Sequence, residues 1–204
     1  MQNIIVNLLL ICGLIVISEL VAYAKLIRSD ILRKLMHIAT GVVVIYGSYI
    51  TDYKSYTIVS VLMVLALLIT RFALPLRSLQ HRFHESHGEI YFAAGVGIAA
   101  LICPNLNGFV ACVATLALAD TAAYVVGNYF KGTELYDSKT VAGSAACFLV
   151  TCIIFISFNY TWDQSIIIGL FISGAELLGS RGSDNMSIST IGSLLVLFIS
   201  LFMG

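Results

Sequence analysis

Apolar runs of roughly 15–22 residues recur along the chain, separated by short polar segments that hold most of its charges. About 20 helical residues cross a hydrocarbon layer. The runs near 3–24, 34–51, 55–74, 89–104, 107–129, 141–160, 165–179 and 187–203 therefore read as eight membrane-crossing helices, the last two of them short. Lipid offers no partner to backbone N–H and C=O groups, so a crossing segment is a helix or belongs to a closed barrel. The period-two alternation of a barrel strand is absent. The expected fold is all-α: a polytopic membrane helical bundle of about 7–8 transmembrane helices, forming a single domain over residues 1–204.

Composition agrees with that pattern. Hydrophobic residues make up 59% of the chain and charged residues 11%, and mean hydropathy is +0.97. These values exclude both an ordinary soluble core and a disordered chain. Formal net charge is zero, and no nucleic-acid partner is expected. The five cysteines form no C-x-x-C pair, so neither a disulfide framework nor a zinc site is expected. They read as small hydrophobes on lipid-facing helices. The opening MQNII lacks a basic n-region and Glu19 interrupts the first apolar run, so no cleavable signal is expected.

Charge changes the picture when it is placed between the runs. Lys25, Arg28, Arg33 and Lys34 fall between the first and second; Arg71, Arg77 and Arg82 between the third and fourth; Lys131 and Lys139 between the fifth and sixth; Arg181 between the seventh and eighth. Lys54 alone falls on the other side. Ten against one places the first set in the cytoplasm and both termini outside it. The expected localisation is integral membrane, multi-pass, with the active site on the cytoplasmic side.

Asp120 lies inside an apolar run, between GFVACVATLALA and AAYVV. A charge at such depth costs at least a few kcal/mol and marks a functional site by default. Asp120, Tyr124 and Gly127 share one helical face. Gly127 and Gly132 let a bulky anion approach the backbone. Lys131, Lys139 and Thr140 add cations and a hydroxyl at the water boundary. The set suits a phosphorylated ligand with a divalent metal.

A second stripe joins Asp30, Arg33, Lys34, His37 and Gly41 at helical spacing. Arg33 and Lys34 suit phosphate recognition. His37 is either part of that site or a core histidine paired with Asp30 or a backbone carbonyl. Glu19 can pair with Lys34 or Arg33, or orient a metal. Glu176 is intramembrane or nearly so and needs a partner. Asp184 and Asn185 follow two glycines and can cap the last helix or face the site. His81, His84 and His87 lack the H-E-x-x-H spacing, and residues 77–89 read as an interfacial amphipathic segment, with Gly88 and Glu89 within reach of the site. GNYFKGTE, residues 127–134, lacks the lysine placement and feeding strand of a P-loop.

Taken in order, Arg33-Lys34 with His37-Ile38 and Gly41, Gly88-Glu89 with Tyr91, Asp120 with Ala123, Gly127 and Gly132, Lys139-Thr140 with Gly143-Ser144, and Glu176 with Asp184-Asn185 resemble the CTP-dependent lipid kinases. These comprise dolichol or polyprenol kinases, phytol kinases and the yeast-type diacylglycerol kinase, and they are similar to phosphatidate cytidylyltransferases. The resemblance spans about residues 15–200. Ala119 stands where the family usually has glycine, and Ala142 where it usually has an acidic residue.

The resemblance implies a transferase that phosphorylates a membrane lipid alcohol (polyprenol or dolichol, phytol or diacylglycerol), with Mg²⁺ as cofactor and CTP as co-substrate. Catalytic candidates are Arg33, Lys34, His37, Asp120, Glu176 and Asp184. Nucleotide-binding candidates are Gly127, Lys131, Gly132, Lys139, Thr140, Gly143, Ser144 and Asn185. Asp120 and Asp184 are the metal candidates. His37, Glu176 or Asp184 can take the alcohol proton. The alternatives are a phosphatidate cytidylyltransferase making CDP-diacylglycerol, and a small membrane transporter. No inverted repeat is visible for the transporter, and the polar groups gather on one face.

Overall fold

The computed structural model describes residues 2–73, 87–130, 133–137, 139–180 and 182–203. The described residues form α1 (Gln2–Tyr23), α2 (Ser29–Ile50), α3 (Tyr56–Ala73), α4 (Gly88–Ile102), α5 (Leu106–Phe130), α6 (Val141–Ser157), α7 (Trp162–Leu178) and α8 (Asp184–Phe202). A single 3-10 turn, Tyr53–Ser55, precedes α3. The all-helical expectation holds apart from one small ribbon, β1 (Glu134–Tyr136) antiparallel to β2 (Lys139–Thr140), which the sequence reading did not foresee. Asp137 makes its turn with φ 45°.

Helices α1, α2, α3, α5 and α8 are long and apolar enough to cross a membrane. The chain is thus a multi-pass membrane protein by the length and apolarity of its helices. Helices α4, α6 and α7, with 15, 17 and 17 residues, fall short of the usual crossing length. The outward faces carry large exposed apolar side chains, among them Leu9, Val61, Leu149 and Phe171.

Helix α5 is the hub. It packs against α2, α4, α6 and α8, while α3 packs on α4 and α7 on both α6 and α8. Its sequence explains the position: Gly108 to Ala117 is apolar but for Thr115 and mostly small on every side, and every residue of that stretch is buried. A helix apolar all round belongs inside, and small residues let neighbours approach closely. At Gly41 of α2, an added Cβ would lie 2.8 Å from the Ala117 Cβ.

Polar side chains stitch the remaining contacts. Ser189 Oγ donates to the Gly95 carbonyl at 2.6 Å, and Asn185 Nδ2 to the Gly88 carbonyl at 3.0 Å, both joining α8 to α4. Lys54 Nζ donates to the carbonyls of Leu101 and Cys103, satisfying the end of α4. Lys54, which the sequence set apart from the other ten basic residues, therefore has a structural task. The cysteine expectation needs correction: Cys12 is exposed, but Cys103, Cys112, Cys147 and Cys152 are buried between helices. All five are free thiols.

Candidate functional site

Helices α2 and α5 bring the first half of the site together. Lys34 Nζ donates to Asp120 Oδ2, and both side chains are almost wholly buried. Asp120 lies about 15 Å along the axis from the end of α5 at Phe130. At that depth each charge needs the other, since removing one partner of a buried pair costs about 3–5 kcal/mol. His37, one turn beyond Lys34, places Nδ1 4.0 Å from the same Asp120 oxygen. Its ring stacks on Phe92 with centroids 4.6 Å apart.

The pairing of His37 with Asp30 is not formed. Asp30 instead accepts from the Tyr124 hydroxyl at 2.5 Å and from Arg28 at 2.9 Å. Tyr124 sits one turn past Asp120, as the shared face requires, and its ring lies 5.4 Å from Lys34 Nζ. The stripe of α2 therefore splits: Asp30 faces the rim, while Lys34 and His37 face the interior.

The ribbon and the last two helices supply the second half. Lys139 on β2 lies 2.9 Å from Glu176 Oε1 and 3.1 Å from Asp184 Oδ2, and also donates to the Glu176 carbonyl. Burial works to lower the Lys139 pKa, but the carboxylates of Asp184 and Glu176 hold it above the ordinary lysine value. Gly179 ends α7, and a Cβ there would come within 2.6 Å of the Asp184 Cα and Cβ. That close approach folds α8 back, so that Asp184 returns beside Glu176. Asp184 is the first residue of α8, with Ser183 at the cap position.

Two glycines proposed to admit an anion also serve helix packing. A Cβ on Gly143 would meet the Ala123 carbonyl at 2.9 Å, and one on Gly127 would meet Thr140 Oγ1 at 3.0 Å. Thr140 caps α6 by accepting from Gly143 N at 3.1 Å. Helices α5 and α6 thus touch through these glycines beneath the ribbon.

Between the two halves lies a polar cavity of about 370 Å³. Arg33, Lys34, Asp120, Gly127, Lys139, Thr140, Gly143, Ser144, Glu176 and Asp184 line it, as expected from the sequence. Tyr124 lines it as well, on the face it shares with Asp120; Asn128, Asp137, Gly179, Ser180 and Gly182 line it too, and had not been assigned to it. Only the glycine-rich segment after Glu176 held a signal that could have found the last three. His37 stands behind the Asp120 wall rather than in the cavity. Asn185, expected in the nucleotide-binding set, does not line the cavity: it is buried against α4 and donates to the Gly88 carbonyl. Glu89 is buried on α4 away from this cavity. Lys131, Gly132, His81 and His84 lie outside the described residues.

Among the described residues, no three His, Cys, Asp or Glu side chains converge as a ready-made metal cage. Asp120 and Asp184 are each engaged by a lysine. Glu176 Oε2, in contrast, is buried with no hydrogen-bond partner among the described residues. One or two such carboxylates fit a hydrated Mg²⁺ that shares its coordination with substrate phosphates.

Comparisons with family models, curated proteins and solved structures returned no match.

Proposed function

We propose that this protein is a CTP-dependent lipid kinase: it transfers the terminal phosphoryl group of CTP to the hydroxyl of a membrane lipid. The observation that carries this reading is the polar cavity, ringed by charges, inside a bundle whose outer faces are apolar. Such a cavity gives a water-soluble anion and a lipid access to one place. The choice of CTP rests on the sequence resemblance.

Phosphoryl transfer asks a protein mainly for positioning and charge neutralisation. Arg33, Lys34 and Lys139 are the described cations of the cavity; Asp120, Asp137, Glu176 and Asp184 are its described carboxylates. Among the described residues, four carboxylates stand against three cations, which favours a nucleotide arriving as its magnesium complex; Glu176 and Asp184 would hold the metal, with Asp120 nearby. Bound Mg²⁺ would supply further neutralisation of the phosphate charge. Lys139 and Lys34 exchange their carboxylate partners for phosphate oxygens. Thr140 and Ser144, whose hydroxyl is buried without a partner among the described residues, bind and orient the phosphate chain.

The ten-to-one division of basic residues supports a cavity on the cytoplasmic side, in a bundle of about eight spans with both termini outside. The short helices α4, α6 and α7 complete that count.

The test is purified protein with CTP labelled at the terminal phosphate and a panel of lipid alcohols. Labelled lipid phosphate with release of CDP is the expected result. Pyrophosphate and CDP-lipid from phosphatidate would establish cytidylyl transfer instead. No turnover of either kind, with solute uptake into vesicles, would establish a transporter.

A further inference from the structure

Helices α5 to α8 hold a second polar opening at their other ends. The first cavity lies where α5 and α7 end and α6 and α8 begin. The second lies where α5 and α7 begin and α6 and α8 end. Its volume is about 590 Å³, within the range of small-ligand sites. Buried apolar side chains, among them Val113, Leu116, Ile168, Ile172 and Ile188, occupy the middle of these helices. The second opening is thus a separate site and not an entrance to the first.

Its chemistry differs from that of the first. Asn105, Asn107, Asn159 and Gln164 bring amides, Thr161 and Ser200 bring hydroxyls, and no charged side chain among the described residues lines it. Asp163 stands just outside the lining and accepts from Thr161 Oγ1 at 2.5 Å. With no cation in the wall and a carboxylate beside it, the site disfavours an anion.

Two of the amides are set by the starts of α5 and α7. Asn105 Oδ1 accepts from Gly108 N at 2.8 Å, and Gln164 Oε1 from Thr161 N at 3.1 Å. Each carbonyl oxygen is engaged, so each NH2 group is left to donate to a ligand. Asn159 follows the end of α6 with φ 65°, a left-handed conformation that asparagine tolerates and glycine prefers. The rest of the wall is apolar: Phe158 and Tyr160, with Val196 and Ile199 of α8. The Tyr160 ring is held edge-on to Phe155, with centroids 5.1 Å apart.

We propose that this cavity binds a neutral pyranose sugar. Such a ring has a C–H face to lie against Phe158, Tyr160 and Ile199. It also has an edge of hydroxyls, each both donor and acceptor, to meet the amides. A wholly apolar occupant would leave the amides unpartnered, and an anion would find no counter-ion. The exposed Trp162, next to Thr161, puts the rim at the water–lipid boundary. The ring can therefore come from a sugar in the water or from the head group of a glycolipid. The site is independent of the phosphoryl-transfer reading.

Trp162 is the single tryptophan of the chain and serves as the reporter. Full-length protein, purified in a detergent without a sugar head group, is placed in phosphatidylcholine vesicles. Its fluorescence is followed against glucosyl-diacylglycerol in the bilayer and, separately, against methyl glucoside in the water. Phosphatidylglycerol is the anionic control. A saturable change with a sugar, and none with phosphatidylglycerol, is expected. A response to methyl glucoside identifies a water-borne ligand; a response to the glycolipid alone identifies a head group.

Asn159→Gly removes an amide and keeps the left-handed turn. It should weaken the apparent affinity about two- to tenfold. Ser200→Phe, on the exposed rim, fills the cavity and should weaken it about tenfold or more. An equal response to phosphatidylglycerol, no response to either sugar, or an unchanged response in both variants overturns the site.

Discussion

Lys34 and Asp120 are 86 residues apart in sequence, yet they form the buried ion pair that joins α2 to α5 at the floor of the polar cavity. One pair thus serves two ends: it fixes a helix contact, and it holds a cation and a carboxylate where a phosphate would arrive.

Asp120→Asn should abolish turnover while the protein remains in the membrane. Stability should fall by no more than about 3–5 kcal/mol, since the stranded Lys34 can reach water through the cavity. Adding Lys34→Met should restore thermal stability without restoring turnover. Near-normal activity in Asp120→Asn would remove Asp120 from the chemistry.

Lys139→Ala leaves Glu176 and Asp184 facing each other without their shared cation. The expected result is a raised KM for nucleotide with little change in KM for lipid, together with a lower melting temperature. Arg33→Ala should lower kcat as well, because contacts made only in the transition state act on kcat while uniform binding contacts act on KM. Small and equal effects from both would reduce the two residues to positive-inside anchors.

Gly41→Ala should destabilise the bundle by about 1–3 kcal/mol through overpacking, because the new Cβ meets Ala117. Ala117→Gly in the same chain removes the opposing methyl and should recover most of the loss. Thermal unfolding in one detergent compares the three variants. Failure of the second change to rescue would mean that the contact does not set the α2–α5 distance.

Ala142 stands one residue into α6, beside the Thr140 cap, where the resembled family carries an acid. If that acid only orients Lys139, Ala142→Glu should shift the KM for nucleotide and leave the Mg²⁺ midpoint alone. That outcome is expected, because Glu176 and Asp184 already supply carboxylates. A clear drop in the Mg²⁺ midpoint would show that a metal ligand had been restored.

Topology is tested by cysteine labelling in a Cys12→Ser background, which removes the exposed native thiol. Asp52→Cys and the exposed Trp162→Cys should react only from the non-cytoplasmic side. Reaction of both from the cytoplasm would reverse the orientation that the basic residues imply.

The helices were legible because apolar length is a local property. All eight runs correspond to helices whose centres agree with the sequence reading, including the last, which looked short and yet is one of the five long apolar helices. The lining of the polar cavity was largely legible in its residues, but their pairings were not. Asp120 and Glu176 stood out as charges in apolar runs. Which lysine answers each depends on helix packing, which no spacing reveals. His37 illustrates the gap: helical periodicity offered Asp30 on its own helix, whereas the fold brings Asp120 from α5. The ribbon was missed because Glu134–Thr140 is short and polar, and its turn rests on Asp137 at a positive φ rather than on glycine. Asn185 looked like a ligand residue beside Asp184. One step around α8 turns it toward α4 instead.

The carboxylates of the polar cavity already hold counter-ions: Lys34 on Asp120, Lys139 on Glu176 and Asp184. On the proposed reading, a triphosphate entering there would not simply add charge to vacant cations. It would displace resident anions from them, so that binding would be an ion exchange inside the protein. The affinity would then be a difference between two sets of similar contacts. It should be moderate, and less sensitive to salt than the number of cations suggests. Release of the diphosphate would be correspondingly easy, because the carboxylates stand beside the lysines ready to take them back.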